Sequence, residues 1–336
     1  MKIIFDRNIP FISKPLSSIG EAIPMTGTEI TNETVKDADA IIIRTRTRCD
    51  ATLLKDSKCR FIGTATIGTD HIDLPYCASR GITVANAPGC NAPAVAQWVL
   101  SAISTYLGDT RSLSDITLGV IGAGNVGSVL IRWAEGLGIK TIVNDPPLQR
   151  QSSGSYRFSS LSDIADKCDV ITVHTPLTRT GDHPTYHLID NSFISNLKRR
   201  PLILNAARGP VTDTLALING LESGKISALG IDCWEGEPNI NLQLLEQALI
   251  ATPHIAGYSR QGKIRASQMV LDELSRHLRL DAPLRADAPS VAPVPHRIIP
   301  EMLNYDILED TRILKSSPSL FESLRNNYHL REEPSL

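Results

Sequence analysis

The sequence predicts an α/β protein with parallel sheets, and three observations carry that prediction. Short apolar runs alternate with polar or amphipathic stretches along residues 1–280, the pattern of strands buried on both faces and joined by crossover helices. One such run, residues 118–121, leads straight into Gly122, Gly124 and Gly127, spaced G-x-G-x-x-G, and then into a stretch that is apolar at helical spacing, 128–138. A length of 336 residues accommodates two domains of ordinary size and a smaller piece.

The first domain is expected over residues 1 to about 95, with strands at 2–5, 40–43, 60–64 and 82–85. Ligand groups in such sheets gather beyond the strand C-termini. Two of those ends carry suitable chemistry: Arg44-Thr45-Arg46-Thr47-Arg48, and Thr64-Ala65-Thr66 continuing to Thr69. Hydroxyls and guanidinium groups there suit a carboxylate or a phosphate, although a solvated turn accounts for any single arginine equally well. His71 reads as a helix-start or surface residue. The turn-rich segment 86–93 then leads to an apolar helix from Ala94 to about residue 107, the crossing into the second domain.

The glycine stretch opens that domain as strand, tight turn and helix. Gly122 allows the turn, Gly124 lets backbone approach a pyrophosphate, and Gly127 lets the helix pack on the strand. The helix's free N–H groups and positive dipole end then face the phosphates. A further strand, 140–144, ends at Asp145, where a carboxylate hydrogen-bonds a ribose 2′-hydroxyl and repels a 2′-phosphate. These residues predict a Rossmann domain that binds NAD rather than NADP. Later strands end at His174-Thr175 (169–173), at Ala206-Ala207-Arg208 (201–205), at Asp232 (227–231) and at Pro253-His254 (249–252). A long helix is expected over 257–280, then a linker with five prolines between 281 and 300. The remaining 36 residues, 301–336, are too few for a core of their own, and should pack on the body or on a second subunit.

Composition narrows the function. The chain is 42% hydrophobic and 21% charged with a formal net charge of −2, which argues against a nucleic-acid face. No apolar run approaches the ~20 residues of a membrane helix, and the charged start is not that of a signal peptide. The six cysteines show no C-x-x-C and no metal-ligand spacing, so free thiols in the cytoplasm, and no metal, are expected.

Three residues at strand ends or in the turns beyond them suit hydride chemistry on a hydroxy acid. His254 is a base of the right proton affinity, Glu237 would orient its ring and stabilise its charged form, and Arg208 would hold a carboxylate and polarise a nascent carbonyl. Taken singly, a surface or capping role is the favoured reading of each. Together their surroundings, 205–209, 232–238 and 252–257, resemble the three signature blocks of the D-isomer-specific 2-hydroxyacid dehydrogenase family. Stretches 1–10, 63–73, 86–91, 174–188 and 254–263 resemble one branch of it, which oxidises 4-phospho-D-erythronate in vitamin B6 biosynthesis.

That resemblance implies a flavodoxin-like substrate domain (1–95 and 258–280), a Rossmann NAD domain (96–257), and a linker with a shortened dimerisation region (281–336), hence a homodimer. It implies Arg208, Glu237 and His254 as the catalytic set, with Glu235 the competing carboxylate, and substrate contacts at Thr45, Thr66 and Tyr258. For NAD it implies Val126 and Gly127 at the pyrophosphate beside Gly122 and Gly124, Asp145 at the ribose, and Thr175, Ala206, Ala207, Arg208, Asp232 and Gly257 around the nicotinamide. Arg44 and Arg46 are candidates for the substrate phosphate, and Arg331 is a further one if the tail reaches a neighbouring subunit's site, where Glu332 would oppose it. The shared blocks leave two alternatives open: a relative acting on phosphoglycerate or on hydroxypyruvate and glyoxylate, and an NAD-sensing scaffold or corepressor.

Overall fold

The computed structural model describes residues 1–109, 111–151 and 156–335. They fall into two compact units, Met1–Asn91 with Ser259–Pro293, and Ala92–Tyr258 with Val294–Leu336.

The first unit holds a parallel sheet of β1 (Lys2–Asp6), β2 (Glu21–Met25), β3 (Ala40–Ile43), β4 (Phe61–Thr64) and β5 (Thr83–Ala85), in the order β2-β1-β3-β4-β5. That is the flavodoxin-like order. Strands β3 and β4 are buried along their whole length, as a sheet covered on both faces requires. One cover is the helix Arg260–Leu278, whose Val270, Leu271 and Leu274 join Ile3, Ile42 and Phe61 in one core cluster. It approaches β4 closely at Gly63, where a Cβ would lie 2.5 Å from Val270 Cγ1.

The second unit holds β6 (Thr117–Ile121), β7 (Lys140–Asn144), β8 (Val170–Val173), β9 (Leu202–Asn205), β10 (Ala228–Ile231) and β11 (Ile250–Ala251), all parallel, in the order β11-β10-β9-β8-β6-β7. A single parallel bridge from Val143 to Phe158 lies beyond β7, where the doubly wound fold places a further strand. The order reverses between β6 and β8, which is where such sheets bind ligands. The helices Ala92–Leu107 and Asn125–Gly136 pack against one face, burying Trp98 and Trp133 completely.

The tail folds back on this second unit. Trp133 Nε1 donates to Pro295 O at 2.8 Å. The helix Ile307–Ser316 lies against β11, with Thr311 Oγ1 accepting from Ala251 N at 3.1 Å. Leu314 and Phe321 complete a core cluster with Ile231 and Leu245. Residues 281–293 lie with the first unit. The region 281–336 is therefore divided between the two units. No helix among the described residues is long and apolar enough to cross a membrane. All six cysteines are free and buried.

Candidate active site

The glycine turn sits at the C-terminal end of β6. Gly122 has φ +95, a conformation that favours glycine, and its N–H donates to Asn144 O at 2.8 Å. Gly127 lies so close beneath that a Cβ would stand 2.0 Å from Gly122 O, whereas a Cβ on Gly124 would meet nothing within 4 Å. Gly124 is the N-cap of the helix Asn125–Gly136 and offers no side-chain cap. The first-turn N–H groups at Val126 and Gly127 thus face an open cradle. Asp145 stands at the end of β7, where Oδ2 accepts from Ala123 N and Oδ1 from Leu148 N, each at 2.9 Å. At the end of β8, Thr175 Oγ1 is buried with no partner among the described residues. An uncapped helix start, open space over Gly124, a carboxylate at the turn and an orphaned buried hydroxyl fit a dinucleotide.

The loop after β9 is held by a residue the sequence did not single out. Asn205 is fully buried, its Nδ2 donating to Arg208 O at 3.0 Å and Thr212 Oγ1 at 3.0 Å, its Oδ1 accepting from Ala207 N at 3.1 Å. This clasp shapes the Ala206-Ala207-Arg208 turn. Arg208 Nη1 donates to Ala207 O at 2.8 Å. Gly209 packs under the next loop, where a Cβ would stand 2.0 Å from Trp234 O, so the turns carrying Arg208 and Glu237 are fixed against each other.

The turns after β10 and β11 bring Glu237 and His254 together. His254 Nδ1 lies 2.8 Å from Glu237 Oε2 and 3.1 Å from Oε1, and Trp234 N donates to Glu237 Oε1 at 2.8 Å. Burial pushes the Glu237 carboxyl up, but the bond and charge of His254, the Trp234 N–H and the Arg325 charge outweigh it and hold it below the ordinary value. His254 has φ 57, in the left-handed region, where a non-glycine residue is strained. Asp232 holds it there: its carbonyl accepts from His254 N at 2.9 Å, and its Oδ1 accepts from Ile255 N at 2.7 Å and Thr252 Oγ1 at 2.6 Å. Burial raises the Asp232 carboxyl despite those bonds and His254. Glu235 points elsewhere, with Oε1 2.7 Å from His187 Nε2 and Oε2 accepting from Thr214 N at 2.9 Å. Between the competing carboxylates, Glu237 is the one on the histidine.

Cys233, Glu237 and His254 place their ligand atoms within 4.8 Å of one another, a grouping invisible in their spacing. Burial pushes the Cys233 thiol far up, and Arg325 faces Glu237. A neighbouring cation and the commitment of His254 Nδ1 to Glu237 both oppose a metal ion there.

Tyr258 and Gly257 follow in the same turn. Tyr258 N donates to Ile255 O at 2.8 Å, and its ring meets Tyr328 edge-on at 6.3 Å between centroids. The tail also supplies Arg325, whose Nη1 is 3.6 Å from Glu237 Oε2 and which donates to the Tyr258 hydroxyl. Arg331 is committed to main chain, donating to the carbonyls of Ala94, Ile255, Ala256 and Tyr258. Such a caged guanidinium is spent on the fold, not offered to a phosphate.

Thr45 and Thr66 belong to the first unit. Thr45 is exposed in the turn after β3. Arg44 Nε donates to the fully buried Asp6 at 2.9 Å, which anchors that guanidinium at the ends of β1 and β3. Thr66 Oγ1 is 2.6 Å from Thr64 Oγ1, which is 3.2 Å from His71 Nε2. His71 is thus part of a hydroxyl chain at the end of β4 and not a bare surface residue.

The sheet order and the open glycine cradle are those of a Rossmann NAD-binding unit, and the chain is an NAD-dependent D-2-hydroxyacid dehydrogenase. Residues 96–256 match the family described as D-isomer specific 2-hydroxyacid dehydrogenase, NAD binding domain. The NAD+-bound 3-phosphoglycerate dehydrogenase of Entamoeba histolytica has a similar structure, with TM-score 0.71 and 26% identity over 87% of this chain and 99% of that one. Erythronate-4-phosphate dehydrogenases of Bacteroides thetaiotaomicron and Bacteroides fragilis are 46% and 47% identical, each over 99% of this chain and 97% of its own length. The chain belongs to the erythronate-4-phosphate dehydrogenase family.

Proposed function

We propose that the protein oxidises 4-phospho-D-erythronate to (R)-3-hydroxy-2-oxo-4-phosphooxybutanoate, with NAD as acceptor, in the synthesis of pyridoxal 5′-phosphate. The observation that carries the chemistry is the Glu237–His254 pair, 2.8 Å apart. Bound NAD supplies the hydride acceptor. With Nδ1 anchored on Glu237, His254 presents Nε2 as the base for the 2-hydroxyl proton. Glu237 stabilises the imidazolium that forms. Arg208 holds the substrate carboxylate and the developing carbonyl oxygen, and Thr45, Thr66 and Tyr258 contact the rest of the substrate. Gly122, Gly124, Val126, Gly127, Asp145, Thr175, Ala206, Ala207, Asp232 and Gly257 hold the dinucleotide. The proposed setting is the cytoplasm and the proposed assembly a homodimer.

The test is NADH formation by the purified protein with 4-phospho-D-erythronate, D-3-phosphoglycerate and D-glycerate in parallel, with a scavenger for the oxo acid. Turnover selective for phosphoerythronate is expected. Preference for another acid would move the substrate, and silence on all three with NAD bound would favour a scaffold. Cofactor choice has its own test. Asp145→Ser removes the charge that repels a 2′-phosphate, and the NAD over NADP preference is expected to fall about tenfold, ~1.4 kcal/mol. An unchanged preference would take the ribose contact away from Asp145.

A further inference from the structure

We infer that Arg325, carried by the tail helix Phe321–Asn326, is a positioning residue for the acid–base pair, sharing the Glu237 carboxylate with His254 and holding the Tyr258 hydroxyl. The inference rests on the function proposed above and adds a residue from outside the signature blocks.

Two tail arginines with opposite bonding make the case. Arg331 is saturated: Nε donates to Gln97 Oε1 at 3.1 Å, both Nη groups donate to main-chain carbonyls, and the guanidinium lies 4.4 Å from the Tyr305 ring centroid. It staples the tail to Ala94, Gln97 and the 255–258 turn. Arg325 is part-buried, its side chain 13% exposed, yet its buried Nε has no partner among the described residues. An unsatisfied buried donor costs stability, and a fold-holding arginine would not leave one. Its contacts are instead Glu237, at 3.6 Å, and Tyr258. That separation exceeds a hydrogen bond. Glu237 therefore keeps its bonds to His254 and Trp234 while Arg325 acts on it through charge.

The consequence is electrostatic. A carboxylate partly neutralised by a guanidinium holds an adjacent imidazolium less tightly, so Arg325 weakens the grip of Glu237 on its partner ring. The other groups facing the pair are Asp232, which interacts with His254, and Cys233, which is faced by Arg208 as well as Arg325. Asp232 opposes Arg325 in sign, and the Cys233 thiol is neutral.

The experiment is the pH profile of kcat/KM for oxidation in wild type, Arg325→Met and Arg325→Lys. In Arg325→Met the acid limb is expected to move to higher pH by about one unit, a roughly tenfold loss below the limb, with NAD affinity unchanged. Arg325→Lys is expected to restore the limb. Arg331→Met is the structural control and should lower the melting temperature without moving the limb. If Arg325→Met does not fold, Arg325→Gln carries the same expectation. A limb that stays in place in the neutral variant overturns the inference. Absence of wild-type turnover would instead overturn the function it rests on.

Discussion

Replacing His254 with Ala is expected to lower kcat by about 10²–10⁴-fold while NAD still binds. The geometry separates the two effects. The imidazole is held by Glu237 on the turn after β11, whereas the glycine cradle and Asp145 lie at the ends of β6 and β7. The main-chain bond from His254 N to Asp232 O and the clasp of Asp232 on Ile255 N do not use the imidazole, so the turn should persist in the variant. Steady-state kinetics with NAD titration by fluorescence checks this. A variant retaining most of its turnover would show that another group takes the hydroxyl proton.

The second large effect is expected at Gly127. An added Cβ would stand 2.0 Å from Gly122 O, a main-chain atom that cannot swing away. Gly127→Ala must displace the helix start from the turn, at a cost of ~1–3 kcal/mol in stability. NAD affinity should fall about tenfold or more, since the first-turn N–H groups move with the helix. Gly124→Ala is the informative partner, because its Cβ meets no protein atom within 4 Å. It should melt like wild type yet bind NAD more weakly, since only the approach of the pyrophosphate is obstructed. Equal melting and equal NAD affinity in both variants would contradict the assignment of this turn.

The alternation of apolar runs made most strands legible, because parallel strands buried on both faces leave little else they could be. Strand β2 escaped for a physical reason: it is an edge strand, only part-buried, and carries Pro24, which the free side of an edge tolerates and a sequence pattern counts against. The bridge at Phe158 was equally hidden, since one residue has no period. In the site, Arg208, Glu237 and His254 stood out through their surrounding motifs, and Asp232 as an expected cofactor contact, but the positioning roles of Asn205 and Asp232 did not. Asn205 and Asp232 act through buried hydrogen bonds to neighbouring turns, and a buried polar residue at a strand end was the available signal. Arg325 is remote in sequence from Glu237, and only the folding of the tail onto the second unit brings the two together. The same fold of the tail places the Arg331 guanidinium against carbonyls of its own chain, a placement no local pattern around residue 331 announces.

Transfer of deuterium from substrate labelled at C2 tests the central claim most directly. The protein would be incubated with NAD and 4-phospho-D-erythronate carrying deuterium on C2, and the reduced cofactor analysed by mass spectrometry. One deuterium per NADH formed is expected, because the proposed reaction takes the hydride from C2, the carbon whose hydroxyl proton it assigns to His254. NADH formed without deuterium would contradict oxidation at that carbon, and with it the roles given to Arg208, Glu237 and His254.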